Sequence, residues 1–272
     1  MSSAKYSAAG SGEPAVHCNT EAHVPELTSP PHGTLWLARH VHLCKLDSTI
    51  IVLDLARDKY LGLSRSVAQS LAATVRGWPE PNTHEPLQHG LISADKTSRI
   101  IGDLIAQGML TPRETDGKDA TPTRLDSNAP HIALDHNVPG GRGIQWGDVV
   151  KFLAACLSTV WLLRCRSLQN AVEAVATRKA SHGSELEFDA ALAADLVAIF
   201  RRLRSFAFSS HRRCLFHALV LVNFLSRYGV YPYFVMGVKV DPWAAHSWVQ
   251  SGEYVLDGTP EQVRFFTPIL VV

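Results

Sequence analysis

The 272-residue chain is 46% hydrophobic and 19% charged, enough for one large or two ordinary domains with cores of their own. Its formal net charge of +1 sets up no overall field to draw in nucleic acid or an anionic membrane, so such a partner would need a local patch. The five cysteines, Cys18, Cys44, Cys156, Cys165 and Cys214, are odd in number and form no CxxC pair. That disfavours a disulfide framework and a cysteine zinc cage and fits reduced thiols in a cytoplasmic protein.

Residues 1–34 are rich in Gly, Ser, Pro and Ala and lack a signal-peptide core, so they read as a disordered tail of a protein that is not secreted. Leu35 to Cys44 and Thr49 to Leu55 read as a hairpin, and Lys59 to Leu63 as a third short strand. Ser64 or Ser66 can cap a helix running to about Val75, and Ser93 another over Ala94 to Ala106 that stops at Gly108. Together, residues 35–112 are expected to form a compact winged-helix-like module.

The following stretch, TPRETDGKDATPTRLDSNAPHIALDHNVPGGRG, is dominated by Pro, Gly, Asp and Thr, and residues 113–143 read as a linker. A second domain, 144–272, begins with helices over Trp146 to Leu163, Ser167 to Lys179, Phe188 to Phe206 and Cys214 to Tyr228. Within the first, the apolar run Phe152 to Leu163 is shorter than the roughly 20 residues of a membrane span and reads as a buried core helix. Cys156 and Cys165 are expected to lie in the core beside it. Val230 to Val240, His246 to Gln250 and Tyr254 to Asp257 then alternate as an antiparallel sheet, so the fold class is α+β.

Cys214 opens a predicted helix after Ser209-Ser210-His211-Arg212-Arg213, where unpaired backbone N–H groups and the helix dipole favour an anionic sulfur and can form an oxyanion hole. His246 follows across a predicted helix–sheet interface as a general base, and Asp257, one strand on, is placed to orient its imidazole. A buried structural cysteine is the plain alternative. A metal held by His211, Cys214, His217 and His246 is disfavoured because these four do not have the spacing of a known site.

The stretch RCLFHALVLVNFLSRYGVYPYFVMGVKVDPWAAHSWVQSGEYVLDGTPEQVRFFTPILVV, from Arg213 to Val272, resembles the C-terminal domain of lasso-peptide biosynthesis B proteins, the transglutaminase-like leader peptidases. The resemblance rests on Arg213-Cys214-Leu215, Arg227-Tyr228-Gly229, Gly237-Val238, Ala245-His246-Ser247-Trp248-Val249 and the C-terminal Pro268-Ile269-Leu270-Val271-Val272. The module from Leu35 to Leu110 is similar to the PQQ-biosynthesis D protein through Asp54, Tyr60 and Leu63, and the two together resemble the fused form of the B protein.

The resemblance implies a transglutaminase/papain-like cysteine protease with Cys214 and His246 in its site. It implies that the N-terminal module holds the leader of a ribosomal precursor peptide as an added strand, on the edge Lys59, Tyr60, Leu61 and Leu63 and against Arg99 and Asp103 of the second helix. A partner, an asparagine-synthetase-like lasso cyclase, would use the freed amine. Family members are described as ATP-requiring, yet no GxxxxGK[ST] occurs here and no cofactor is evident. The family has an Asn-Asp or similar pair where this chain has Asp257-Gly258, so either Asp257 serves after a one-residue shift or the orienting group differs. Acyl transfer by the same Cys–His pair, or a non-enzymatic peptide- or DNA-binding adaptor, are the competing functions. Lys96 and Arg99 are the second helix's only basic residues, which makes it a poor DNA reader.

Overall fold

The computed structural model describes residues 34–46, 49–79, 93–123, 125, 132–133, 142–182, 188–207 and 214–272. Residues 1–33 of the expected tail 1–34, His211 and the two arginines ahead of Cys214 lie outside them.

The stretch expected as one strand from Leu35 to Cys44 divides at Arg39-His40 into β1 (Trp36–Ala38) and β2 (Val41–Leu46). Only β2 forms the hairpin, running antiparallel to β3 (Thr49–Asp54) from Val41↔Asp54 to Leu46↔Thr49. A turn after β3 leads into β4 (Lys59–Leu63). The Asp54 carboxylate shapes that turn by accepting the backbone N–H groups of Ala56 at 2.9 Å and Arg57 at 3.1 Å, and Asp58 takes a left-handed φ of 51°. In the β2-β3-β4 sheet β4 is an edge strand.

Ser64 precedes α1 (Arg65–Ala72), which ends short of the expected Val75 because Leu35 captures the chain there: Leu35 N–H donates to Thr74 and Arg76 N–H to Leu35. Ser93 precedes α2 (Ala94–Ala106), and Gly108, at φ 67°, closes it. The span expected as a linker supplies a pairing partner: β1 lies between β5 (Leu110–Thr111), at the end of the expected module, and β6 (Gly117–Lys118), within the expected linker. Farther on, β7 (Ile132–Ala133) runs parallel to a C-terminal strand.

The second half has α3 (Trp146–Cys165), α4 (Leu168–Ser181), α5 (Ala190–Ala207) and α6 (Cys214–Ser226). The strands β8 (Tyr233–Val240), β9 (Trp243–Ser251) and β10 (Tyr254–Val255) follow, then α7 (Pro260–Val263) and β11 (Thr267–Val271). Their sheet has the order β11-β8-β9-β10-β7. All but the first four residues and the last of α6 are buried in the main core with Phe152, Phe200 and Val249, which makes α6 the central helix. It stops where Gly229 adopts φ 79° and Val230 N–H returns to the Leu225 carbonyl.

The expectation of a wholly buried helix at 152–163 is corrected. The helix is 20 residues long and buries only the face of Asp148, Phe152, Ala155, Cys156 and Thr159. Trp146 at 84% exposure, Val150, Leu153, Leu157 and Trp161 face outward, and by length and composition alone this helix could cross a membrane. Its apolar run extends on both sides of a narrow core stripe, so hydropathy could not distinguish the buried side from the outer one. Cys165, expected in the core, is exposed, whereas Cys156 is buried.

The β2-β3-β4 sheet is apolar on both faces. Leu43, Ile50, Val52 and Leu63 pack with α1 and α2, while Cys44, Ile51, Leu53 and Leu55 belong to the same core as α3 to α6. Tyr60, paired with Leu53 on β4, packs against that main core too. Thr123 adds a hydrogen bond to the Ile269 carbonyl of β11 at 3.0 Å. The two halves therefore share one apolar interior.

Candidate active site

Cys214 is the first residue of α6 and half-buried, so its sulfur stands where the first turn leaves backbone N–H groups without helical partners. Leu215 and Phe216 behind it pack on the main core and fix the start of the helix.

His246 sits on β9 opposite Gly237 of β8. Strand alternation turns His246, Trp248 and Gln250 to one face and Ser247 and Val249 to the other, the face that joins the core of α6. The imidazole lies 5.2 Å between ring centres from Phe266 and stacks toward Trp248 at 6.1 Å. Gly237 is what lets the Trp248 ring lie there, since a Cβ at 237 would come within 2.8 Å of it. Trp248 is itself held by its indole N–H donating to Gln250 Oε1 at 2.9 Å.

Burial pushes the His246 imidazole below its usual range, and the negative charge of Asp257 pulls in the opposite direction without overcoming it. At neutral pH the ring is therefore an uncharged base. Asp257 follows β10 and is near enough to act on His246 electrostatically, yet its Oδ1 is engaged by Arg204 of α5 at 3.3 Å. Burial lowers the pKa of the neighbouring Arg201 guanidinium, and the Asp257 charge offsets only part of that. Arg204 is a residue that sequence reading missed; its signal is the cluster Arg201, Arg202 and Arg204 in a mostly apolar helix.

His246 and Asp257 are thus brought together. Among the described residues the Cys214 thiol and the His246 imidazole are not hydrogen-bonded to each other. The imidazole instead shares the sheet face of Trp248 and Phe266, opposite the face that joins the core of α6.

Of the strand and helix residues expected to hold a leader, Lys59, Arg99 and Asp103 are exposed and Leu61 is 36% exposed. Leu63 is in the core under α1 and α2, and Tyr60 turns the other way, toward the second half. Tyr60 meets Trp243, the first residue of β9, edge-on at 5.6 Å between ring centres. Among the described residues no three His, Cys, Asp or Glu side chains gather as a metal site.

Residues 154–271 match the family model described as the transglutaminase-like superfamily. The C-terminal half is a transglutaminase-like domain. The matched span contains Cys214, His246, Asp257 and Arg204, and it ends within the C-terminal strand β11. No curated protein and no solved structure matches the chain. The transglutaminase-like match points to cysteine chemistry on an acyl group, either hydrolysis or transfer.

Proposed function

We propose that this protein is a cysteine peptidase that removes the leader from a ribosomally made lasso-peptide precursor. The observation that carries the reading is the position of Cys214 at the start of the central helix of a transglutaminase-like domain, with His246 and Asp257 paired electrostatically on the adjoining sheet. The exposed edge of β4 supports the substrate class, because an extended leader can add to it as a further strand with α2 supplying Arg99 and Asp103.

In this reading the Cys214 sulfur attacks the scissile carbonyl carbon as His246 takes the thiol proton. The carbonyl π pair moves onto oxygen, where the first N–H groups of α6 receive it. Collapse re-forms the carbonyl and breaks the C–N bond, and the His246 imidazolium gives its proton to the departing amine. Water, deprotonated by His246, then releases the leader carboxylate and the free thiol. The freed amine passes to an asparagine-synthetase-like macrocyclase in the cytoplasm. These steps need only the chain's own groups and water, and comparing cleavage with and without ATP tests the nucleotide requirement that the resemblance implies.

The deciding experiment incubates the protein with the precursor peptide encoded beside its gene and weighs the products. Two peptides whose masses sum to the precursor plus one water support hydrolysis. An adduct with an added amine in place of that water replaces the peptidase reading with acyl transfer.

A further inference from the structure

The outward face of α3 is as regular as the face it buries. Its exposed residues Trp146, Val150, Leu153, Leu157, Val160 and Arg164 recur at alternating steps of four and three, the spacing of a seam that packs one helix along another. By their exposed fractions, the five apolar members and the adjoining Trp161 leave roughly 700 Å² open. That is more than the about 300–600 Å² of a typical monomer's largest apolar patch and close to the roughly 800 Å² that each partner of a standard interface buries.

The seam also reads the same from both ends. About a centre at Ala155, Trp146 mirrors Arg164, Val150 mirrors Val160 and Leu153 mirrors Leu157. A two-fold interface lays one patch on itself, so each residue must suit the one at its mirror position. Here aliphatic meets aliphatic along the middle, and at each end the Arg164 guanidinium meets the indole of Trp146 from the second copy. The flank matches as well: about Ala154, Gly147 mirrors Trp161, and a Cβ at Gly147 would meet nothing within 4 Å, so the bulky ring faces open space. A partner of unrelated sequence makes no such demand on the order of residues.

We propose that α3 pairs antiparallel with α3 of a second copy of this chain, forming a two-fold dimer with Leu153 and Leu157 at its centre. This goes beyond the peptidase reading and does not depend on it. A membrane suits the same face less well. Crossing one would pull Asp148 and Thr159 out of the core, where both are buried. Lying on an anionic one calls for basic residues along the helix, but of the two in α3 Lys151 is turned over the Tyr228 ring at 3.6 Å, which leaves Arg164 at one end.

The test measures the mass of the full-length protein by sedimentation equilibrium at tens of micromolar, with a parallel sample mixed with phosphatidylglycerol–phosphatidylcholine vesicles. Wild type should sediment at twice the 29.8 kDa of one chain. Val150→Glu and Val160→Lys, each at an exposed position, should each raise the dimer dissociation constant roughly tenfold or more. The double variant should return to the dimer, because the new carboxylate at 150 in one copy then meets the new ammonium at 160 in the other. Within one helix these positions lie about 15 Å apart and cannot pair, so the rescue is specific to the antiparallel register. Gly147→Leu adds apolar surface but fills the space that faces Trp161, so it should weaken the dimer too, and it decides the matter should a charged variant fail to fold. A wild type that is monomeric, free or bound to the vesicles, overturns the inference. So does a double variant that stays monomeric, or a single variant or Gly147→Leu that dimerises as tightly as wild type.

Discussion

Arg204 Nη1 lies 3.3 Å from Asp257 Oδ1, so the carboxylate that acts on His246 is shared with a guanidinium from α5. The arginine neutralises part of the charge that would otherwise raise the imidazole's proton affinity, which is consistent with burial prevailing at His246.

The acid limb of the pH–rate profile follows from this arrangement. The active imidazole is the unprotonated form, so kcat/KM rises as pH climbs through the His246 pKa, which lies below the usual imidazole value. Asp257→Asn removes a charge that raises this pKa, so the limb should move to lower pH. Arg204→Gln frees the carboxylate to act on the ring, so the limb should move to higher pH. Profiles of kcat/KM for the three proteins check the signs, and shifts in the same direction for both variants would refute the shared-carboxylate account.

Gly237→Ala should damage the site from behind. The new Cβ would come within 2.8 Å of the Trp248 ring, and β8 and β9 are too tightly paired to yield at low cost. A loss of about 1–3 kcal/mol in stability is expected by denaturant titration. Activity should fall further than the unfolded fraction explains, because Trp248 stacks toward His246.

Asp148 holds the start of α3 and should be worth more than an ordinary cap. It is buried, accepts from Arg142 at 2.8 and 3.1 Å and from Gln145 N–H at 2.8 Å, and accepts from the Tyr228 hydroxyl in the turn after α6. Burial pushes its carboxyl up, but these donors outweigh it and the net shift is downward. Asp148→Ala should cost about 3 kcal/mol at pH 7, since it leaves partners of a buried charge unpaired. A lowered carboxyl stabilises the fold above its unfolded pKa of about 4 and ceases to do so as pH falls through the folded value. The gap in urea midpoint between wild type and variant should therefore shrink on acidification.

The thiols should separate in a peptide-mapped alkylation time course. Burial pushes Cys44 up to about 12 and Cys156 to about 11, so both should resist iodoacetamide until the protein unfolds. Exposed Cys165 and half-buried Cys214 should label in the native state.

Most helices were legible because each carries its own periodicity and boundary residues: Ser93 and Ser167 precede α2 and α4, and α6 begins at Cys214 as expected. The local alternation around His246 also placed β9. The strand β11 was not foreseen, because Pro268 interrupts it where the ladder shifts register between Pro268 and Leu270. What local pattern could not supply was partnership over distance. The ion pair of Arg204 with Asp257 spans 53 residues, and the outer face of the β2-β3-β4 sheet reads as an ordinary strand pattern until its partner, the α6 core, is known. The resemblance assigned Tyr60 to a leader-binding surface; the fold packs it against the main core, with its ring edge-on to Trp243 of β9.

The most direct test of the central claim is cleavage of the precursor by Cys214→Ala beside the wild type, with leader binding measured on both by fluorescence anisotropy. Abolished cleavage with unchanged leader binding is the predicted result. Cleavage by the variant at the wild-type rate would contradict the assignment of Cys214 as nucleophile.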